Sequence, residues 1–263
     1  MTVGDEYAQI APFYDLEFDE FDADIDLYIG YAHMVGGPVL ELGCGTGRAI
    51  APLAEAGFSV VGVDNSLAMT EIARSRLQPH LDSGAVELVV ADMRDLSAVP
   101  DQSYRLAFIA INSFLHLQAQ EDQILALRQV RERLDRDGLL VIDVFNPSND
   151  VLARMADRYT FDAEWTRNDG SRIQRFSYRH LDTSQQTITT KLFYDEVAPD
   201  SALRRSTTEY VMRYIHRFEL ELLLSIAGFE LEGIYGSYSL DPLEQDSEVI
   251  IAVAHRTANE GES

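Results

Sequence analysis

From Val39 onward, short apolar runs recur along the chain at a nearly regular spacing. "VLELG", "FSVVGVD", "AVELVVAD", "RLAFIAIN" and "GLLVIDVFN" are rich in Val, Ile and Leu and are bounded by Gly, Asp or Asn. Runs of this length and composition are strands buried on both faces. Between them, 46–56, 66–78 and 119–134 carry apolar residues at helical spacing, so the pattern predicts a parallel sheet with helices on both sides. After Asn146-Pro147 the period changes. A short helical stretch near 149–156 precedes "RIQRFSYRHL", "QQTITTKLFYDEV" and "LRRSTTEYVMRY", which alternate apolar and polar residues and are joined through "DTS" and "APDSA". That alternation predicts an antiparallel β insertion over 148–214, set into a core formed by 1–147 and 215–256. A helix at 216–227 and the strands "FELEGIYG" and "SEVIIAVAHR" complete the core, and the polar tail 257–263 is expected to be disordered.

Composition narrows the classes of function. With 263 residues, 46% of them hydrophobic, the chain can bury one large core. No apolar run approaches the roughly 20 residues of a membrane helix, and the opening "MTVGDEYAQI" lacks the basic region of a signal peptide. A cytoplasmic protein with no membrane partner is expected. Cys44 is the one cysteine, which excludes an intramolecular disulfide and a Cys-rich zinc site. The six histidines, at 33, 80, 116, 180, 216 and 255, are scattered, and no metal centre is expected. Against 21 basic residues stand 44 acidic ones, for a net charge of −23. A field of that sign repels phosphate backbones, so a small molecule is expected as partner and nucleic acid is not. Lys191, the only lysine, lies in a strand-like run, which leaves no obvious P-loop lysine or pyridoxal Schiff base.

The stretch "PVLELGCGTGRAI" gives up side chains where a strand turns into a helix, so that a ligand can approach the backbone. A dinucleotide fingerprint, G-x-G-x-x-G, fails because Arg48 stands at its third glycine. What stands instead is E-x-G-x-G-x-G, from Glu41 to Gly47. Asp64 closes the next strand, where a carboxylate can receive a ribose diol, and Asp92, followed by Met93, closes the third. These residues resemble the class I S-adenosylmethionine-dependent methyltransferases, from Tyr7 to His255 apart from the insertion. The resemblance implies an α/β, Rossmann-like doubly wound sheet of the seven-stranded methyltransferase type, with the antiparallel β insertion after strand 5. It implies S-adenosyl-L-methionine as cofactor. Glu41, Gly43, Cys44 and Gly45 would lie along its methionine part and Asp64 on its ribose. Asp92 and Met93 would flank its adenine, with Asn65 and Met69 of "GVDNSLAM" near the adenosine.

Three further segments carry candidate chemistry. "YAQIAPFYDLEF" resembles the Tyr-Asp segment that many small-molecule methyltransferases fold over the cofactor, which implies a Tyr14 hydroxyl near the sulfonium, with Tyr7 ranked behind it. The other reading of Tyr14 is an aromatic anchor in a helix that caps the sheet. "AINSFLHLQ" follows strand 4, where open α/β sheets deliver groups into the crevice. There His116 resembles the general base of the sugar amine N-methyltransferases, and a base of that kind predicts a rate rising through a pKa of about 6–7.5; the alternative is a histidine that packs at the start of the next segment. Asn112 is expected to line the same crevice. In the insertion, Tyr210, Arg213, Tyr214 and His216 are candidates to face the acceptor, unless that face packs against the core or against a second subunit of a homodimer. "FNPSN" at 145–149 follows strand 5 and lacks the second proline and aromatic of the amino-directed DNA and protein methyltransferases, so it reads as a turn. The expected reaction is methyl transfer to nitrogen or oxygen of a small molecule. A cofactor-binding module without catalysis is an alternative, as is an NAD oxidoreductase on a degenerate loop. Arg48 and the Asp92-Met93 pair argue against the latter.

Overall fold

Aliphatic runs too short for a helix form the central sheet of the computed structural model, which describes Asp5, residues 7–18 and residues 21–257. Its strands are β1 (Val39–Leu42), β2 (Val60–Asp64), β3 (Val86–Val90), β4 (Tyr104–Ile109), β5 (Leu134–Phe145), β10 (Phe229–Tyr235) and β11 (Val249–Arg256). They lie in the order β10-β11-β5-β4-β1-β2-β3. The first five are mutually parallel, and β11 runs antiparallel between β5 and β10. Strand order reverses between β1 and β4, and the carboxyl ends on either side of that switch splay apart to leave a crevice.

Alternate residues of each strand face opposite helix layers. Val39, Val60, Leu106 and Phe108 pack with Leu27, Tyr28 and Tyr31 of α2 (Ile25–Val35) and with Ile50 and Leu53 of α3 (Ile50–Glu55). Leu40, Leu42, Val61 and Val63 face the layer of Leu127 and Val130 from α6 (Gln120–Arg133) and Leu220, Leu223 and Leu224 from α8 (Arg217–Ala227). The helical pattern of 66–78 is realised as α4 (Leu67–Arg76), whose first turn is capped by the Ser66 hydroxyl, followed by the separate short α5 (Gln78–Asp82), with a proline in its first turn. The sequence pattern did not anticipate α2. It has Gly30 in its middle and no side-chain cap, because the Asp24 carboxylate at its head is bound by Arg48.

The insertion after β5 opens with α7 (Asn149–Met155) and continues as the meander β6 (Arg158–Thr166), β7 (Arg172–Asp182), β8 (Thr187–Val197) and β9 (Leu203–Arg213). It holds four strands where three were expected. The missed strand β6 carries a register shift between Phe161 and Ala163, which breaks the period-2 signal that reveals strands in sequence. This second sheet clamps α1 (Ala11–Phe18) against the core. Ile10 and Phe13 pack on Ile173, Leu192 and Tyr194, with the Phe13 and Tyr194 rings stacked 4.6 Å apart. At the other end of the chain, Thr257 donates its N–H and hydroxyl to the Gly228 carbonyl at 3.0 and 2.8 Å. The rest of the expected tail, 258–263, lies outside the described residues. Among the described residues no helix is long and apolar enough to cross a membrane.

Candidate active site

A cavity of about 590 Å³ opens at the carboxyl ends of β1 to β4, under α1. The glycine loop after β1 forms its floor. Gly43 and Gly45 both take left-handed backbone, with φ of 71° and 53°, a region that residues with a side chain rarely enter. At Gly43 a Cβ would stand 2.6 Å from that of Ser113, so the missing side chain is what lets the short 3₁₀ turn Ser113–His116 press on the loop. Gly45 lies under the Tyr14 ring and donates its N–H to the Asp64 carboxylate at 2.8 Å. The other Asp64 oxygen accepts the Ser66 N–H at 2.8 Å, so one carboxylate ties the loops after β1 and β2 together. Burial pushes the Asp64 pKa up, against the pull of those two bonds.

Beneath the loop, Glu41 is buried, its Oε2 has no hydrogen-bond partner, and burial pushes its pKa well up. Arg48 turns away from the cavity to make a bidentate pair with buried Asp24, at 2.8 and 2.6 Å, and to donate to the Phe21 carbonyl at 2.7 Å. Cys44 lies in the loop but off the cavity lining. Its thiol packs inward beneath Gly62, among core residues, and only its backbone belongs to the loop, donating to the Val63 carbonyl at 3.0 Å.

Asn65, Met69, Asp92 and Met93 line the cavity. Arg94, which the sequence reading passed over, doubles back on Asp92 with Nε at 3.0 Å and Nη2 at 2.6 Å, and reaches Asp122 with Nη1 at 2.8 Å. The guanidinium holds the Asp92 carboxyl below the usual carboxylate range. Asp5 clips the N-terminal segment to the head of α4 by accepting the Ser66 hydroxyl at 2.8 Å and the Ala68 N–H at 3.2 Å.

At the wall nearest the insertion, the Tyr7 hydroxyl and His116 Nε2 share a hydrogen bond of 2.8 Å. Tyr210 on β9 stands behind both, stacked 6.1 Å from the Tyr7 ring and 5.4 Å from the imidazole. Loss of solvent pushes the His116 pKa down to about 4. That lies below the window of about 6–7.5 expected of a histidine base, so this imidazole is neutral throughout the physiological range. Tyr14 also lines the cavity, and burial pushes its pKa up, which keeps the hydroxyl protonated. Its helix is fixed by Asp15, which accepts from Thr46 at 2.6 Å and pairs with Arg76 at 2.9 Å. Tyr7, ranked behind Tyr14 in sequence, is the tyrosine that shares a hydrogen bond with His116.

Four further candidates lie off the cavity. Asn112 does not line the cavity: its Oδ1 accepts the Phe145 N–H at 2.7 Å, which spends the side chain on joining β5 to the turn after β4. Arg213 is buried against Glu219 and Gln123 between β9 and the helices behind it. Tyr214 packs into a small core with Leu152 and Ile188, and His216 sits at the head of α8, edge-on to Tyr214. The alternation of β9 carries Tyr210 toward the cavity, but the strand ends at Arg213 and the face beyond it belongs to the junction with α8.

The family model described as "Methyltransferase domain" matches residues 39–138. The cypemycin N-terminal methyltransferase of Streptomyces sp is 29% identical over 222 residues, covering 84% of each chain. Among solved structures, the CcbJ methyltransferase from Streptomyces caelestis has a TM-score of 0.78 at 27% identity, covering 97% of this chain and 98% of that one. CalS10, an amino pentose methyltransferase from Micromonospora echinaspora solved with S-adenosylmethionine bound, has a TM-score of 0.69 at 19% identity over 92% of this chain and 96% of that one, a likeness of fold.

Proposed function

We propose that this chain, a class I S-adenosylmethionine-dependent methyltransferase, transfers the methyl to the amine nitrogen of a small molecule. Its activity is methyl transfer and its cofactor is S-adenosyl-L-methionine; the acceptor, the acceptor atom and the role of each residue are the proposal. Two features suit the cofactor: a cavity floored by the left-handed Gly43 and Gly45 backbone, and the Asp64 and Asp92 carboxylates on its lining. When bound, the cofactor supplies an electrophilic methyl on its sulfonium. Asp64, with lone pairs left after two backbone bonds, would receive the ribose diol. Asp92, Met93, Met69 and Asn65 would hold the adenine, and the backbone of Gly43, Cys44 and Gly45 would lie along the methionine part.

The observation that carries the choice of acceptor is the Tyr7–His116 hydrogen bond on the cavity wall. A neutral imidazole whose Nε2–H donates to the Tyr7 hydroxyl keeps Nδ1 as an acceptor for an amine N–H and so can aim the nitrogen lone pair, which supplies orientation in a closed site. With a pKa near 4 it is a poor base for stripping an ammonium at neutral pH. His116 therefore positions the acceptor, and an amine that arrives protonated gives up its proton to water. Tyr14, kept protonated, offers a hydroxyl at the cofactor end of the same space. A nitrogen target is supported by the relative that is named for methylating an N-terminus and spans 84% of this chain. The same relative favours a second reading, a peptide N-terminal amine. The test is turnover, read as S-adenosylhomocysteine release, on amino sugars, amino acids, short peptides with a free N-terminus and hydroxyl analogues of each. Small amines are expected to turn over; turnover confined to the peptides would establish the second reading, and turnover confined to the hydroxyl analogues would overturn the nitrogen assignment.

A further inference from the structure

Asp143, near the end of β5, is a carboxylate buried to 2% exposure that has no place in the cavity. A buried carboxylate costs stability unless its partners compensate. Its Oδ2 accepts the Tyr238 hydroxyl at 2.8 Å, the Ile111 N–H at 3.3 Å and, more weakly, the Tyr28 hydroxyl at 3.4 Å. Its own carbonyl accepts the Asn112 N–H at 3.1 Å. The two residues it holds are unusual: Ile111 has φ of 41° and Asn112 φ of 66°. Asparagine tolerates left-handed backbone, but a β-branched isoleucine there is strained and persists only when its surroundings over-determine it. Asp143 supplies that constraint from two atoms, and the Asn112 side chain adds a third tie, to the Phe145 N–H. Directly after this turn comes the 3₁₀ segment Ser113–His116, with Ser113 pressed on Gly43 and His116 on Tyr7.

We propose that Asp143 is a positioning residue for the methyl transfer, holding the strained Ile111-Asn112 turn so that His116 is aimed into the cavity against Tyr7. Without the carboxylate, Ile111 relaxes toward negative φ and the 3₁₀ segment rotates with it. Only the importance of His116 is taken from the acceptor proposed above; the test uses no acceptor, so its failure leaves that reading standing.

The full chain, with isotope-labelled histidine, is compared by NMR with its Asp143→Leu, Asp143→Asn and Ile111→Gly/Asp143→Leu variants, and calorimetric titration with S-adenosylhomocysteine shows that each is folded. In Asp143→Leu the His116 resonance is expected to move and its pKa to rise from about 4 toward the ordinary 6.5 or so. Asp143→Asn, which still offers an oxygen to the Ile111 N–H, should keep both near wild type. In the double variant glycine removes the strain, and His116 should return most of the way. An unmoved His116 in a folded Asp143→Leu protein would overturn the proposal, as would a displacement that Ile111→Gly leaves unchanged. If Asp143→Leu does not fold, Asp143→Ala decides by the same readout: it removes the tie to the Ile111 N–H, and a His116 that stays in place overturns the proposal.

Discussion

At the scale of single residues, the site is organised by carboxylates that hold backbone in place. Asp64 is the clearest, since it accepts one N–H from each of two loops and still has lone pairs to offer. Replacing Asp64 with Ala removes the proposed ribose acceptor and frees Gly45, so S-adenosylhomocysteine binding is expected to weaken by about 1.5–3 kcal/mol, roughly 10- to 150-fold. Calorimetry with a melting control checks this, and unchanged affinity would remove Asp64 from the cofactor's contacts. Asp92 shows why residue type alone misleads. Its position after β3 was legible in sequence, but Arg94, two residues on, already occupies both of its oxygens. An adenine contact there must share the carboxylate with a guanidinium.

At the scale of elements, what sequence could show depended on whether an element announces itself locally. The five parallel strands and α6 and α8 are continuous apolar or periodic runs whose neighbours lie close in sequence, and each was legible. Helix α2 was not, because its capping position is spent on Arg48, a partner distant in sequence. Strand β6 was hidden by its own bulge. The same division holds for the site. Gly43, Gly45, Asp64 and Asp92 follow strand ends and could be read from their order. The Tyr7–His116 pair joins segments 109 positions apart, and no local pattern marks it. Arg213 and Tyr214 were misplaced for a related reason: strand alternation predicts which face a side chain takes, but not where the strand leaves the cavity and enters a junction. Helix α1 is held by both units. The core grips Asp15 through Thr46 and Arg76, and the insertion grips Glu17 through Arg175 and Tyr194. The insertion thus meets the cavity wall in two ways, by seating α1, which carries Tyr14, and by placing Tyr210 against Tyr7 and His116.

At the scale of the whole molecule, the balance of charge makes stability depend on pH. Glu17, Glu41, Asp64 and Asp143 all have pKa values pushed up by burial, Asp143 to about 6. An unfolded aspartate titrates near 3.9. Between about 4 and 6 the folded protein therefore holds a proton that the unfolded chain has lost, and stability falls as pH rises through that window. For Asp143 alone the two-unit shift is worth roughly 3 kcal/mol at 1.36 kcal/mol per unit. Repulsion within a chain of net charge −23 acts in the same direction, whereas Asp92 and Glu219, whose pKa values are lowered, lose their contribution only at lower pH. The cofactor-free protein is expected to melt at higher temperature at pH 5.5 than at pH 7.5, by calorimetry, with the difference reduced in Asp143→Asn; a lower melting temperature at pH 5.5 would contradict the burial of these charges. The central claim, methyl transfer to an amine nitrogen, is tested most directly by incubating the protein with S-adenosylmethionine carrying a carbon-13 methyl and an amino sugar that also bears free hydroxyls. Carbon NMR of the product then separates the two outcomes: the account predicts label in an N-methyl resonance and none in an O-methyl one, and label found only on oxygen would contradict it.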